Sequence, residues 1–247
     1  DKLYMMGGQI CANDFKGRLD GARDFYQRGL RCCPNSIVLW TLASNLEERA
    51  SLQKQTNNGE KSTTAFTKAR SLLEVARLKN PKNPHLWLQA IRLERRAQNP
   101  AMSNTLMAKA LQECPNSGLL LAEHISTSPR VEQKSKSADA IKRCPDDPNV
   151  IAAVASLFAS ERKEAKARKW YERAVVLDPD IGDSWAKYYA FEIGKGTKEQ
   201  REKIVERCVK ADPKHGSVWC EVTKDMENRR KSVKERLELV AQHILKS

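Results

Sequence analysis

The side chains in this sequence that could do chemistry are four histidines, seven cysteines, 31 carboxylates and 44 lysines and arginines. His85, His124, His215 and His243 are far apart in sequence, and only folding could gather them. The cysteines at 11, 32, 33, 114, 144, 208 and 220 form no C-x-x-C pair. Their odd number and placement fit small buried apolar residues of a protein kept in a reducing compartment. No phosphate-cradling G-x-x-x-x-G-K-[ST], no G-x-G-x-x-G and no metal-binding H-E-x-x-H occurs. The carboxylates fall on helical spacings near lysine or arginine and read as exposed i,i+4 support rather than acid–base pairs. No catalytic residue, cofactor site or metal site is therefore expected.

The remaining chemistry is charge. Lysine and arginine exceed the acids by 13, which suits an anionic neighbourhood of RNA or acidic protein. The densest basic runs are 162–169 and 224–231, and both also contain acids. Arg168, Lys169, Arg229, Arg230 and Lys231 are the candidate contacts to a partner or to RNA. A solvated helix face explains such runs better than nucleic-acid binding does, and no RNA-recognition signature accompanies them. No uncharged apolar stretch reaches the roughly 18 residues that a membrane span needs.

These residues are carried by a repeat. Prolines at 34, 81, 115, 145, 179 and 213 are separated by 47, 34, 30, 34 and 34 residues. A period near 34 is that of a helix–turn–helix array. Five residues before each proline stands a small side chain: Gly29, Ala76, Ala110, Ala140, Ala174 and Cys208. Small residues there let two helix backbones approach closely. Six residues after four of the prolines stands a tryptophan, Trp40, Trp87, Trp185 or Trp219; Leu121 and Ile151 take that place in the other two. Seven residues beyond three of the tryptophans come Glu47, Glu94 and Glu192, whereas the last repeat slips to Met226. The tryptophans and small residues read as repeat core.

Trp, a later aromatic and Glu in one helix, then Ala-Arg in the next, resemble the half-a-tetratricopeptide (HAT) repeat. Ala22-Arg23, Ala69-Arg70 and Ala167-Arg168 supply the second element. The expected fold is all-α, a right-handed helical-hairpin solenoid of HAT or tetratricopeptide type. It runs over 1–247 as one array of about six helix pairs, with a polar surface insertion at 53–62. Val233, Leu237, Val240 and Ile244 form one stripe on a terminal helix over 231–246, expected to cap the array. The unit 131–144 places Lys134, Lys136 and Asp139 where other units are apolar, so it should pack least tightly.

Three stretches go beyond a generic array. "RLKNPKNPHLWL" at 77–88, "NTLMAKALQECPNSG" at 104–118 and "HGSVWCEVTKDMEN" at 215–228 closely resemble the C-terminal repeats of the pre-mRNA-processing factor 6 family. The resemblance implies a nuclear, non-enzymatic scaffold of the spliceosomal tri-snRNP that bridges the U5 particle to U4/U6, with no cofactor. It implies spliceosomal protein partners, with small nuclear RNA as a secondary contact and no membrane. The alternatives are a basic RNA-binding HAT protein or a generic tetratricopeptide-type adaptor.

Overall fold

The computed structural model describes residues 1–13, 19–58, 66–225, 228 and 230–246. Among them are fourteen helices: α1 Lys2–Asn13, α2 Leu19–Cys32, α3 Ile37–Asn58, α4 Thr67–Lys79, α5 Pro84–Arg96, α6 Pro100–Glu113, α7 Gly118–Thr127, α8 Arg130–Arg143, α9 Pro148–Ser160, α10 Glu164–Leu177, α11 Gly182–Lys195, α12 Lys198–Ala211, α13 Ser217–Thr223 and α14 Val233–Lys246. The chain has the all-α, helical-repeat fold of the solenoid class. The one extended feature among the described residues is an isolated parallel bridge between Ile181 and His215. Residues 53–58 are the last turns of α3, while 59–62 of the expected insertion lie outside the described residues.

The helix ends follow from local chemistry. Pro84, Pro100 and Pro148 occupy first-turn positions, where the missing N–H costs nothing. The side chains of Asn83, Asn99 and Asp147 accept from backbone N–H groups of those first turns. Thr197 and Gln200 form a reciprocal capping box at α12. At the other end, α5 and α9 stop through left-handed residues, Gln98 at φ 55° and Arg162 at φ 60°. There the N–H of Asn99 reaches the Glu94 carbonyl, and that of Lys163 reaches Phe158, closing the exposed last turns.

The chain folds into two compact units, Asp1–Leu120 and Leu121–Ser247, the boundary falling inside α7. In the first, each of α1 to α6 packs on the next, and α3 also touches α1 and α5. Its core holds Tyr26, Leu39 and Leu46, then Trp40, Ala76 and Leu86, then Phe66, Leu73, Trp87, Ile91 and Leu106. In the second unit, α8 to α12 pack in succession, and α11 touches both α9 and α13. Tyr171, Trp185, Tyr188, Ile204, Trp219, Leu237 and Val240 fill its core. Helix α14 lies on α11, α12 and α13, with Leu237, Val240 and Ala241 buried. Helix α8 buries only Ser137 and Ala140 and leaves Val131 92% exposed, so little apolar area holds it down.

Candidate functional site

The proline spacing becomes geometry at the hairpin joint. The indole Nε1 of Trp40 donates to the Pro34 carbonyl at 2.7 Å, that of Trp87 to Pro81 at 3.0 Å, and that of Trp185 to Pro179 at 2.8 Å. The tryptophan thus buries its ring and still satisfies its N–H, by closing the turn that precedes its own helix. The small residues complete the joint from the other side. The carbonyls of Gly29, Ala76, Ala110, Ala140, Ala174 and Cys208 each accept from the N–H of the residue before the proline. All six are buried. At Gly29 a Cβ would meet the Tyr4 Cβ at 2.8 Å, so no larger residue fits without movement. Trp219 is buried as well, against Gly182, where an added Cβ would stand 2.1 Å from the indole.

A second device lies a helix turn or two deeper. Arg23 donates to both oxygens of Glu47 (2.5 and 3.1 Å), Arg70 to both of Glu94 (2.7 and 3.0 Å), and Arg168 to both of Glu192 (2.6 and 3.0 Å). Each pair joins residues 24 apart, from the first half of one helix to the latter half of the next but for α3, which runs on. These glutamates are 8%, 4% and 0% exposed. The expectation that the acids serve exposed i,i+4 support fails at these positions. A buried carboxylate needs a charged partner and satisfied lone pairs, and the bidentate guanidinium supplies both. The hydrogen bond to the carboxylate outweighs burial, which pulls the other way, and holds the Arg23 and Arg168 guanidiniums above their ordinary pKa. Glu48 is buried too and takes a bidentate grip from Arg96 of α5 (2.5 and 2.8 Å).

The repeats that lack the arginine also lack the glutamate. Asn104, Lys134 and Glu202 stand at the arginine position, and Ser128, Phe158 and Met226 stand 24 residues on. Lys134 instead reaches Glu161 at 3.2 Å. The last repeat is fastened differently. Asp183 of α11 accepts from the N–H groups of Ser217, Val218 and Trp219 and from the Ser217 hydroxyl, which caps α13 across one repeat. Asp180 accepts from the Lys214 N–H at 2.7 Å and pairs with the His215 ring. The backbone bond from Lys214, then the His215 contact, hold the Asp180 carboxyl below its ordinary range.

The candidate contact residues divide. Arg168 has its guanidinium committed to Glu192, with about a third of the side chain exposed. Lys169 and Arg230 are exposed, and Lys231 is half-buried with its ammonium on the Asn228 side-chain oxygen at 2.6 Å. Arg229 lies outside the described residues. The cysteines depart from their reading as buried residues. Cys208 alone is buried, its thiol pushed up to about 12 by desolvation, while Cys32 is exposed and the rest are half-buried. Those before prolines sit in the turns, at the ends of the hairpins, where less of the neighbouring helices reaches them. Among the described residues no group of three or more His, Cys, Asp or Glu is placed to hold a metal. A cleft of about 560 Å³ between α11, α12 and α14 has a mixed lining, with Lys198, Arg201 and Lys234 beside Glu202 and Glu238, and Tyr189 at its wall. No described helix is long and apolar enough to cross a membrane.

No family model matches the chain. It is 39% identical over 239 residues to pre-mRNA-splicing factor prp1 of Schizosaccharomyces pombe, which covers 97% of this chain and 25% of that protein. Over 115 residues it is 49% identical to human pre-mRNA-processing factor 6, covering 47% of this chain and 12% of that protein. The chain therefore spans about a quarter of the length of the fission-yeast relative. Among solved structures, the human IFIT1 dimer with m7Gppp-AAAA aligns over 99% of this chain and 64% of that one, with a TM-score of 0.50 and 14% identity, a likeness of fold alone. The alignment to prp1 spans nearly the whole chain at 39% identity, and the chain belongs to the pre-mRNA-processing factor 6 family.

Proposed function

We propose that the chain is a non-enzymatic scaffold in pre-mRNA splicing, working in the nucleus, whose hairpins bind protein components of the tri-snRNP and bridge U5 to U4/U6. The single observation that carries this reading is the 39% identity, over 97% of the chain, to a splicing factor. The side-chain chemistry is consistent with it. The buried glutamates and tryptophans, with the part-exposed arginines and aspartates that pair with them or cap a helix, are used to join one helix to the next, which leaves the outer faces to act by area and shape. The whole 247-residue chain is taken as one repeat array with α14 as its cap, and the tryptophans and small residues as its core.

In this reading Lys169, Arg230 and Lys231, with Arg229 in the same run, steer a partner more than they hold it. Rim charges act mainly on association rate and salt dependence. Arg168 is left out of that set because Glu192 holds it. The net charge of +13 favours a second reading, direct RNA binding. The two part in a capture experiment from nuclear extract at physiological salt. A scaffold keeps tri-snRNP proteins after RNase digestion. Capture lost on digestion, with tight binding to protein-free small nuclear RNA, would replace the scaffold reading with the RNA one.

A further inference from the structure

The repeat sets which residues a hairpin turn needs, so what exceeds that need stands out. From five residues before the proline to four after it, the turn at 76–85 carries Arg77, Lys79 and Lys82 and no acid. The equivalent turn at 174–183 carries three aspartates and no cation, and the one at 140–149 balances two of each. The joint itself works the same way in both: a small residue's carbonyl, a proline and a tryptophan N–H. The three cations are therefore not demanded by the hairpin.

Two of the three are left available, while Arg77 also donates to the Leu73 carbonyl at 3.3 Å. Lys79 and Lys82 are exposed and pair with no described carboxylate. Arg77 lies over the Trp87 ring, 4.5 Å from its centroid, which fixes one edge of the patch. Between Glu74 and Glu94 the sequence has no acid at all. In the middle of the cations Leu78 is 77% exposed, and Val75 one turn earlier is also exposed. An apolar side chain held out between lysines matches a ligand with an apolar residue between carboxylates. The exposed ring in the turn is the imidazole of His85, while Arg77 covers the Trp87 face, so it is the exposed Leu78 that favours an apolar anchor over a run of stacked bases.

We infer that the α4–α5 turn, through Leu78, Lys79 and Lys82 beside Arg77, is a docking point for an acidic protein segment carrying an apolar anchor. The inference deepens the scaffold reading and rests on it.

The test is anisotropy of a labelled Asp-Glu-Leu-Asp-Glu-Leu-Asp-Glu peptide against the 247-residue chain, with a serine-for-leucine peptide and labelled oligouridine alongside. Lys79→Glu with Lys82→Glu should weaken the leucine peptide at least about tenfold, because two attractions become two repulsions. Leu78→Ser should weaken it about threefold or more, through the lost apolar contact. Lys203→Glu with Lys210→Glu, on exposed α12 positions, should leave binding near the unaltered value. Far-ultraviolet circular dichroism of each variant separates lost binding from lost fold. The inference is overturned if the unaltered chain ignores the leucine peptide, if both double variants weaken it equally, or if oligouridine binding alone depends on Lys79 and Lys82. A chain that captures splicing proteins yet ignores the peptide brings down this inference only. Failure of that capture brings down the scaffold reading.

Discussion

Truncating Arg168 to alanine removes the guanidinium from a carboxylate that has no exposure of its own. Glu192 is fully covered, with Gly196 so close that a Cβ there would stand 2.0 Å from its Oε2. Breaking a buried ion pair from one side costs about 3–5 kcal/mol, because the other charge is stranded. About a third of the Arg168 side chain reaches water, so solvent can fill part of the gap, and about 2–4 kcal/mol is the discounted expectation. The control is Arg207, which pairs with Glu172 at 2.8 Å with both side chains about two-fifths exposed. There the ion pair itself should contribute under about 1 kcal/mol. Urea unfolding, followed by tryptophan fluorescence and circular dichroism, reads the difference. With slopes of about 1–3 kcal/mol per molar, Arg168→Ala should move its transition down by about 0.7 M or more. The two probes should be fitted separately, since repeat arrays need not unfold in one step. Glu192→Ala alone should also destabilise, and Arg168→Met with Glu192→Leu should recover much of the loss, as the repeats built on Asn104 and Lys134 do without the pair. Shifts for Arg168→Ala no larger than for Arg207→Ala, or strict additivity of the two alanine changes, would show that the pair is a solvated surface contact.

Other outcomes follow from the same geometry. Trp185→Phe should cost about 1 kcal/mol for the lost bond to the Pro179 carbonyl, and Trp185→Ala about 3–5 kcal/mol, both by urea unfolding; an unchanged curve for alanine would place the ring outside the core. Gln98→Gly and Arg162→Gly should each stabilise by up to about 1 kcal/mol, since both positions are left-handed and glycine enters that region without strain; a loss of stability in both would contradict the helix-end assignment. Burial pushes Tyr26, Tyr171 and Tyr188 up to about 12. The native state then keeps protons that the unfolded chain releases near pH 10, so this contribution is complete below that pH and is lost as pH rises from about 10 through about 12. Absorbance titration of phenolate should show these three ionising late or only on unfolding, and early ionisation of all five tyrosines would refute it.

Most of the fold was legible in the sequence because the joint is local. A proline, a small residue five before it and a tryptophan six after it are bound by hydrogen bonds within one turn, and such spacings survive as a pattern. The Arg–Glu pairs were half legible. Ala-Arg and the glutamates seven after the tryptophans are both visible, yet joining them requires knowing that two helices lie side by side. Judged against neighbours in their own helix, the glutamates looked exposed. The aspartate cap of α13 was harder still, since Asp183 serves residues 34 to 36 positions away and has no counterpart in the other turns. The cysteines misled because a position beside a proline can belong to a turn rather than to the interior. The surface was least legible: Arg168 has the composition of a contact residue and the geometry of a structural one.

The central claim is that this chain binds proteins of the splicing particle. Crosslinking mass spectrometry on purified tri-snRNP tests it most directly. Crosslinks should run from lysines on the outer faces of the hairpins, Lys79, Lys82 and Lys169 among them, to other proteins of the particle, and should persist after RNase treatment. Crosslinks from these faces to small nuclear RNA alone, with none to protein, would contradict the account.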